Sequence, residues 1–97
     1  MKEFKGTPGP WAVDWSDFVV VSKDGEGVAD FDYGRFDDDE DCLNAILIAA
    51  APDLLAALQE MTAIVKKNSY PQPDKPSSNY ARAEWAESII SKALGEE

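Results

Sequence analysis

The sequence predicts an α+β domain in which a three-stranded antiparallel meander, about residues 11–33, packs against helices at about 39–51, 52–68 and 79–94. Three observations predict it. Short segments between Trp11 and Tyr33 alternate apolar and polar side chains and are separated by turn-forming residues. The stretch from Asp39 to Asn68 instead spaces its aliphatic residues at helical intervals, with Pro52 dividing it. A last helical pattern, Tyr80 to Leu94, follows a proline-rich connection and stops at Gly95.

Taken in order, residues 1–10 form an arm in which Thr7-Pro8-Gly9-Pro10 fixes φ at two positions and removes two amide donors. The first strand then places Trp11, Val13 and Trp15 on one face, and Ser16-Asp17 makes a short turn. Phe18 to Ser22 is a β-branched run. Lys23 to Gly27 is a hairpin loop with Asp24-Gly25 as its turn signal, and Val28 to Tyr33 is the third strand. In that strand Ala29, Phe31 and Tyr33 share one face, Val28, Asp30 and Asp32 the other.

The first helix carries Leu43, Ile46, Leu47 and Ala50 on one stripe, read as its core face. Pro52 then opens a second helix, where a missing amide is harmless. There Leu54, Leu55, Leu58, Met61, Ile64 and Val65 point toward a core, with Asp53 in the first turn and Lys66-Lys67 in the last. The alanines at 49, 50 and 51 let another backbone approach, from the meander or from a second subunit. Residues 68–79 form a Pro-rich loop, and Ser77, Ser78 and Asn79 offer caps for the last helix. Its packing face is Ala86, Ile89, Ile90, Ala93 and Leu94, and Trp11 and Trp85 are the expected sheet–helix fillers.

A chain of 97 residues fits one domain and buries roughly 60 to 70% of its unfolded surface. A pocket of any size is therefore expected between subunits or at the edge of the helix layer, and a homo-oligomer is the expected assembly. The first residues lack the apolar run of a signal peptide, and one cysteine makes no intramolecular disulfide, so a reducing cytoplasm is the expected setting. Nineteen acidic residues against nine basic ones give a formal charge of -10. That balance argues against unaided binding to duplex nucleic acid or an anionic membrane; a basic protein surface is the complementary partner, while solubility alone accounts for an acidic surface and is the first reading of it.

Catalysis is not expected. There is no histidine, which removes the commonest general base, and Cys42 is read as a small packing residue. A calcium loop counted from Asp30 puts Gly34 at position 5, Arg35 at position 6 and Asp41 at position 12, departing from the pattern that shapes such loops. No metal or cofactor is expected. The candidate ligand-binding residues are Trp11, Trp15 and Tyr70 for stacking, Arg35 and Arg82 for phosphate, and Asn44 at the helix start. The candidate protein-interaction residues are Asp30, Asp32, Asp37, Asp38, Asp39, Glu40 and Asp41. Part of that run complements a helix N-terminus.

Thr7-Pro8-Gly9-Pro10-Trp11, a Val-rich meander, and Asn44-Ala45-x-x-Ile48-Ala49-Ala50-Ala51-Pro52-Asp53-Leu54-Leu55-x-Ala57-Leu58 together resemble a family of small phage and prophage proteins of unassigned function. The resemblance implies a phage origin and brings no catalytic residue. By context it suggests counter-defence, and two modes are expected: an oligomeric sponge sequestering a small nucleotide-type signal, or an acidic inhibitor such as an anti-CRISPR or nucleic-acid mimic. A phage accessory or structural protein is the third reading.

Overall fold

The computed structural model describes residues 2–31 and 39–96. In chain order it holds β1 (Trp11–Asp14), β2 (Val19–Ser22), β3 (Gly27–Asp30), α1 (Asp39–Ala49), α2 (Ala51–Lys67) and α3 (Asn79–Leu94), an α+β fold as the sequence predicts. Two compact units divide it: Lys5–Leu54 is one, and the segment up to Phe4 with Leu55 onward is the other. The boundary falls inside α2.

The first unit is a sheet of order β1-β2-β3 with α1 against it. Both strand pairs are antiparallel, with Trp11 opposite Ser22 and Val20 opposite Ala29. The β1–β2 turn is organised by Asp14, whose carboxylate accepts from the Ser16 hydroxyl at 2.6 Å and from the amides of Ser16 and Asp17. The Ser16 hydroxyl above all, with these amides, holds the Asp14 carboxyl below its ordinary range. Its contribution is therefore present above the ordinary aspartate pKa and is lost as pH falls through the lowered folded value. Phe18 closes the turn at φ 52°, a left-handed conformation that costs a non-glycine residue about 1–3 kcal/mol. Complete burial of its ring, worth about 1.5–3 kcal/mol, offsets that cost.

In the second hairpin Gly25 takes φ 85°, as Asp24-Gly25 predicts. The buried Ser22 hydroxyl accepts the amides of Asp24 and Glu26 and fixes the loop. β3 departs from the expected alternation. Val21 pairs with Gly27 while Val20 pairs with Ala29, so Val28 is an extra residue in a bulge. Val28 and Ala29 consequently both reach the core, which also holds Phe31. Trp15, expected on the β1 face, lies beyond the strand and is 45% exposed, stacked at 6.0 Å on Phe18.

The face of α1 is the main correction. Its core side is Cys42, Ala45, Ile48 and Ala49, packed on Phe18 and Val20. Leu43, Ile46 and Leu47, read from the sequence as the core stripe, are 66, 51 and 62% exposed. The reason is volume. Phe18, Phe31 and Trp11 rise from the sheet and fill the space beneath the helix, so the helix comes in on its small residues.

The helical joint falls at Ala50, one residue before the expected place, and Ala51 is already helical. The Leu54 amide still donates to the Ala50 carbonyl at 2.9 Å, keeping the ladder across the joint. Pro52 also closes against the N-terminal arm. A Cβ built on Gly9 would lie 2.6 Å from the Pro52 Cβ and 3.1 Å from its Cγ, so the arm meets the joint backbone to ring.

The second unit pairs α2 with α3. Ser78 caps α3 by accepting the Ala81 amide, and Gly95 ends it at φ 77°. Thr62 on α2 and Ala83 and Ala86 on α3 are buried. Leu55, Leu58, Ile90 and Leu94 are half-buried, whereas Leu54, Met61, Ile64 and Val65 of the expected core set are exposed. Ile89 and Ala93 of the expected α3 face are exposed as well. Trp85, expected in the core, is 67% exposed, because it stands about 200° around the helix from Ala83. The start of the arm belongs here too: Gln59 Nε2 donates to the Lys2 carbonyl at 2.8 Å, and Lys2 pairs with Glu96 at 3.2 Å.

Replacing Gly9 with Ala forces a methyl group into a prolyl ring that has no rotamer in which to retreat. The expected loss is about 1–3 kcal/mol of stability, read from the urea midpoint. An unchanged midpoint would show that the arm does not bear on Pro52.

Candidate functional site

The expected ligand-binding residues fall into both units. Trp11 is committed to the sheet: its ring packs on the core and its indole N–H donates to the Thr7 carbonyl at 3.2 Å. Trp15 and Asn44 are exposed in the same unit. Tyr70, 68% exposed, and Arg82, also exposed, belong to the helical unit, while Arg35 lies outside the described residues. Of the acidic set, Asp30 is exposed at the end of β3. Asp39, Glu40 and Asp41 form the first turn of α1. Asp32, Asp37 and Asp38 lie outside the described residues, and so does most of the calcium loop counted from Asp30. Among the described residues no group of three or more His, Cys, Asp or Glu is placed to hold a metal ion.

Two concavities lie in the helical unit. The larger, about 430 Å³, has Thr62, Ala63, Ile90 and Leu94 in its lining, with Lys2, Glu87 and Glu96 as its charged residues. The smaller, about 320 Å³, lies between the Pro-rich loop and the start of α3 and includes Lys75, Tyr80 and Glu84. Neither is lined by Tyr70 or Arg82. Beside the larger one, Lys66 Nζ meets Glu87 Oε1 at 2.7 Å and stands 5.4 Å from the centre of the Tyr80 ring. The hydrogen bond to Glu87 above all holds the Lys66 ammonium above the usual lysine range.

The feature that sequence reasoning missed is the outer face of α1 and the start of α2. Leu43, Ile46, Leu47 and Leu54 are all at least half exposed, and Ala50 lies half-buried among them. Backbone bonds link Ala50 to Ile46 and Leu54 to Ala50 across a joint at which α1 and α2 bend by 49°. The charged residues of this stretch, Asp39 to Leu54, are Asp39, Glu40, Asp41 and Asp53, with no lysine or arginine. The available signal was the offset stripe Cys42, Ala45, Ile48 and Ala49, whose small residues suit a sheet already carrying three large rings. Ala49 packs against the Phe18, Val20 and Ala45 cluster, whereas Ala50 is half-buried and Ala51 is exposed.

The fold and this surface define a small acidic α+β protein with an apolar helix face framed by carboxylates. A family model described as Salmonella phage P22 protein Y8K6 matches residues 1–97, and the chain belongs to that family of phage proteins. The match extends past the stretches that carried the resemblance and takes in the Pro-rich loop and α3. No curated protein and no solved structure matches the chain. Among the described residues no single helix is long and apolar enough to cross a membrane.

Because the folded lysine pKa is raised, the Lys66–Glu87 link contributes fully below the unfolded lysine value and is lost as pH rises through the folded one. Nitrogen-detected titration of Lys66 is expected to show a pKa above the ordinary lysine value, which Glu87→Gln lowers toward it. An unshifted Lys66 in the native chain would mean that the pair is not held in solution.

Proposed function

We propose that the chain is a non-enzymatic phage protein that acts by covering a basic surface of another protein, with the outer face of α1 as its contact. The observation that carries this reading is the exposure of Leu43, Ile46, Leu47 and Leu54 within a stretch whose only charges are negative. Full burial of each such side chain is worth about 1.5–3 kcal/mol, so covering this face supplies affinity that the lone chain forgoes. The carboxylates around it then choose the sign of the partner and speed the encounter. The net charge of -10 acts in the same direction. For a phage protein such a partner is a host protein, and occlusion of a host defence component is the role this reading supports.

Sequestering a nucleotide signal draws less support. Trp11, the first stacking candidate, packs against the sheet core, and the lysines at the larger cleft, Lys2 and Lys66, are already paired with Glu96 and Glu87, which leaves phosphate no free cation there among the described residues. Self-association through the α1 face draws less support as well, since it sets like charges against one another.

A photo-crosslinking residue at position 47, with one at Lys92 as control, is expected to give an adduct with a basic host protein at 47 and none at 92 during infection. Adducts of the chain with itself alone, or thermal stabilisation by a nucleotide signal without any protein adduct, would reject this reading.

A further inference from the structure

We propose that the helical unit associates with a second copy of itself, α2 against α2 in antiparallel sense, and so completes a four-helix bundle. Among its described residues only Thr62, Ala83 and Ala86 are buried, whereas the largest fully buried side chains, Phe18 and Val20, belong to the other unit. Two helices share a single contact, and a stable layer buries its apolar stripe against a further element. Here that stripe faces water. Met61, Ile64, Val65, Trp85 and Ile89 are 63, 54, 38, 67 and 37% exposed. Lys66 near the end of α2 stands over Tyr80 at the start of α3, and Gln59 shares the larger cleft with Leu94, so the helices run antiparallel. At about 100° per residue, the three α2 residues lie roughly 60–160° round from Thr62, and Trp85 and Ile89 lie roughly 90–130° round in the same sense from the midpoint of Ala83 and Ala86. Similar turns of antiparallel helices bring both groups to one side of the hairpin, opposite Gln59 and Ser91 of the cleft. These five side chains leave on the order of 500 Å² in water, as large a patch as a lone soluble chain ordinarily carries, and with a polar rim it approaches the roughly 800 Å² that each partner gives to a standard interface.

Charge and spacing select the second copy. The helical unit carries six basic and seven acidic residues, the sheet-bearing unit three and twelve, so copies of the helical unit meet near neutrality. Along α2, Ala57, Met61, Ile64 and Asn68 are all exposed and recur at steps of four, three and four, the seam of a helix pair. Glu60 and Lys67, also exposed, flank that seam on the edge away from α3. When Met61 lies opposite Ile64 of an antiparallel copy, Glu60 of each chain comes beside Lys67 of the other. Within one chain the two stand about 10 Å apart along the axis and do not meet. A pattern that complements itself about a two-fold axis suits a second copy. The seam uses no residue of α1 and does not rest on the protein-covering reading.

The test uses the full chain in sedimentation equilibrium and in thermal melts. The native chain is expected as a dimer whose thermal midpoint rises with concentration. Met61→Ser with Ile64→Ser should raise the dissociation constant about a hundredfold or more, because four apolar side chains leave the seam. Glu60→Lys should raise it about tenfold, as two like-charged contacts replace two opposite ones, and adding Lys67→Glu should restore it. Residues 60 and 67 do not meet within one chain, so that rescue reads a contact between chains and stands even where the serine pair unfolds the unit. A native chain that is monomeric at every concentration overturns the proposal. A monomer that the serine pair destabilises does so too and assigns the face to the rest of the chain. A dimer that Leu47→Ser dissociates and the serine pair leaves intact moves self-association to α1 and overturns the seam. A dimer that Glu60→Lys leaves unchanged, or one that Lys67→Glu fails to rescue, overturns the antiparallel pairing.

Discussion

The ring of Phe18 sets the terms for the sheet-bearing unit. It enters the interior from a turn residue in the left-handed region, is fully buried, and lies 5.1 Å from Phe31 by ring centres. With Trp11 and Phe31 it occupies the layer between sheet and helix. A helix above such a layer comes close only on small side chains, so Cys42, Ala45 and Ala49 turn inward, joined by Ile48. The larger aliphatic residues of α1 are left outside by the same rotation. The exposed apolar surface is thus a by-product of how the core is filled.

Much of the architecture was legible because it rests on local chemistry. Asp24-Gly25 specifies a positive φ whatever the tertiary context, Ser78 and Gly95 mark the ends of α3, and Pro52 separates two helices within a residue of where it must. The rotation of each helix about its axis was not legible in the same way. In α1 two apolar stripes lie side by side, Leu43-Ile46-Leu47-Ala50 and Cys42-Ala45-Ile48-Ala49, and periodicity alone ranks the bulkier one first. Only the volume already taken by Phe18, Phe31 and Trp11 decides between them. Trp85 failed for a related reason: its size suggested burial, but its place opposite Ala83 on the helix puts it in solvent. The Val28 bulge is a third case, since strand alternation carries no mark of an inserted residue.

The candidate site was half visible for the same reasons. The carboxylates from Asp39 to Asp41 announce a helix start and a surface charge in any reading of the chain. What they frame was hidden, because the leucines beside them were assigned to the interior. Aromatic residues misdirected attention in the opposite sense: Trp11 looked available and is held by the core and the Thr7 carbonyl.

The contact between Gly9 and Pro52 joins the two stretches by which the chain resembled a phage family. It has a consequence for the order in which this unit assembles. The partners are far apart in sequence, so closing the intervening chain costs entropy that one van der Waals contact does not repay. The hairpins form locally, α1 settles on them, and only then does Pro52 stand where Gly9 can lean on it. The arm is therefore the last part of the unit to order and the first to detach, a latch fastened after the rest is built.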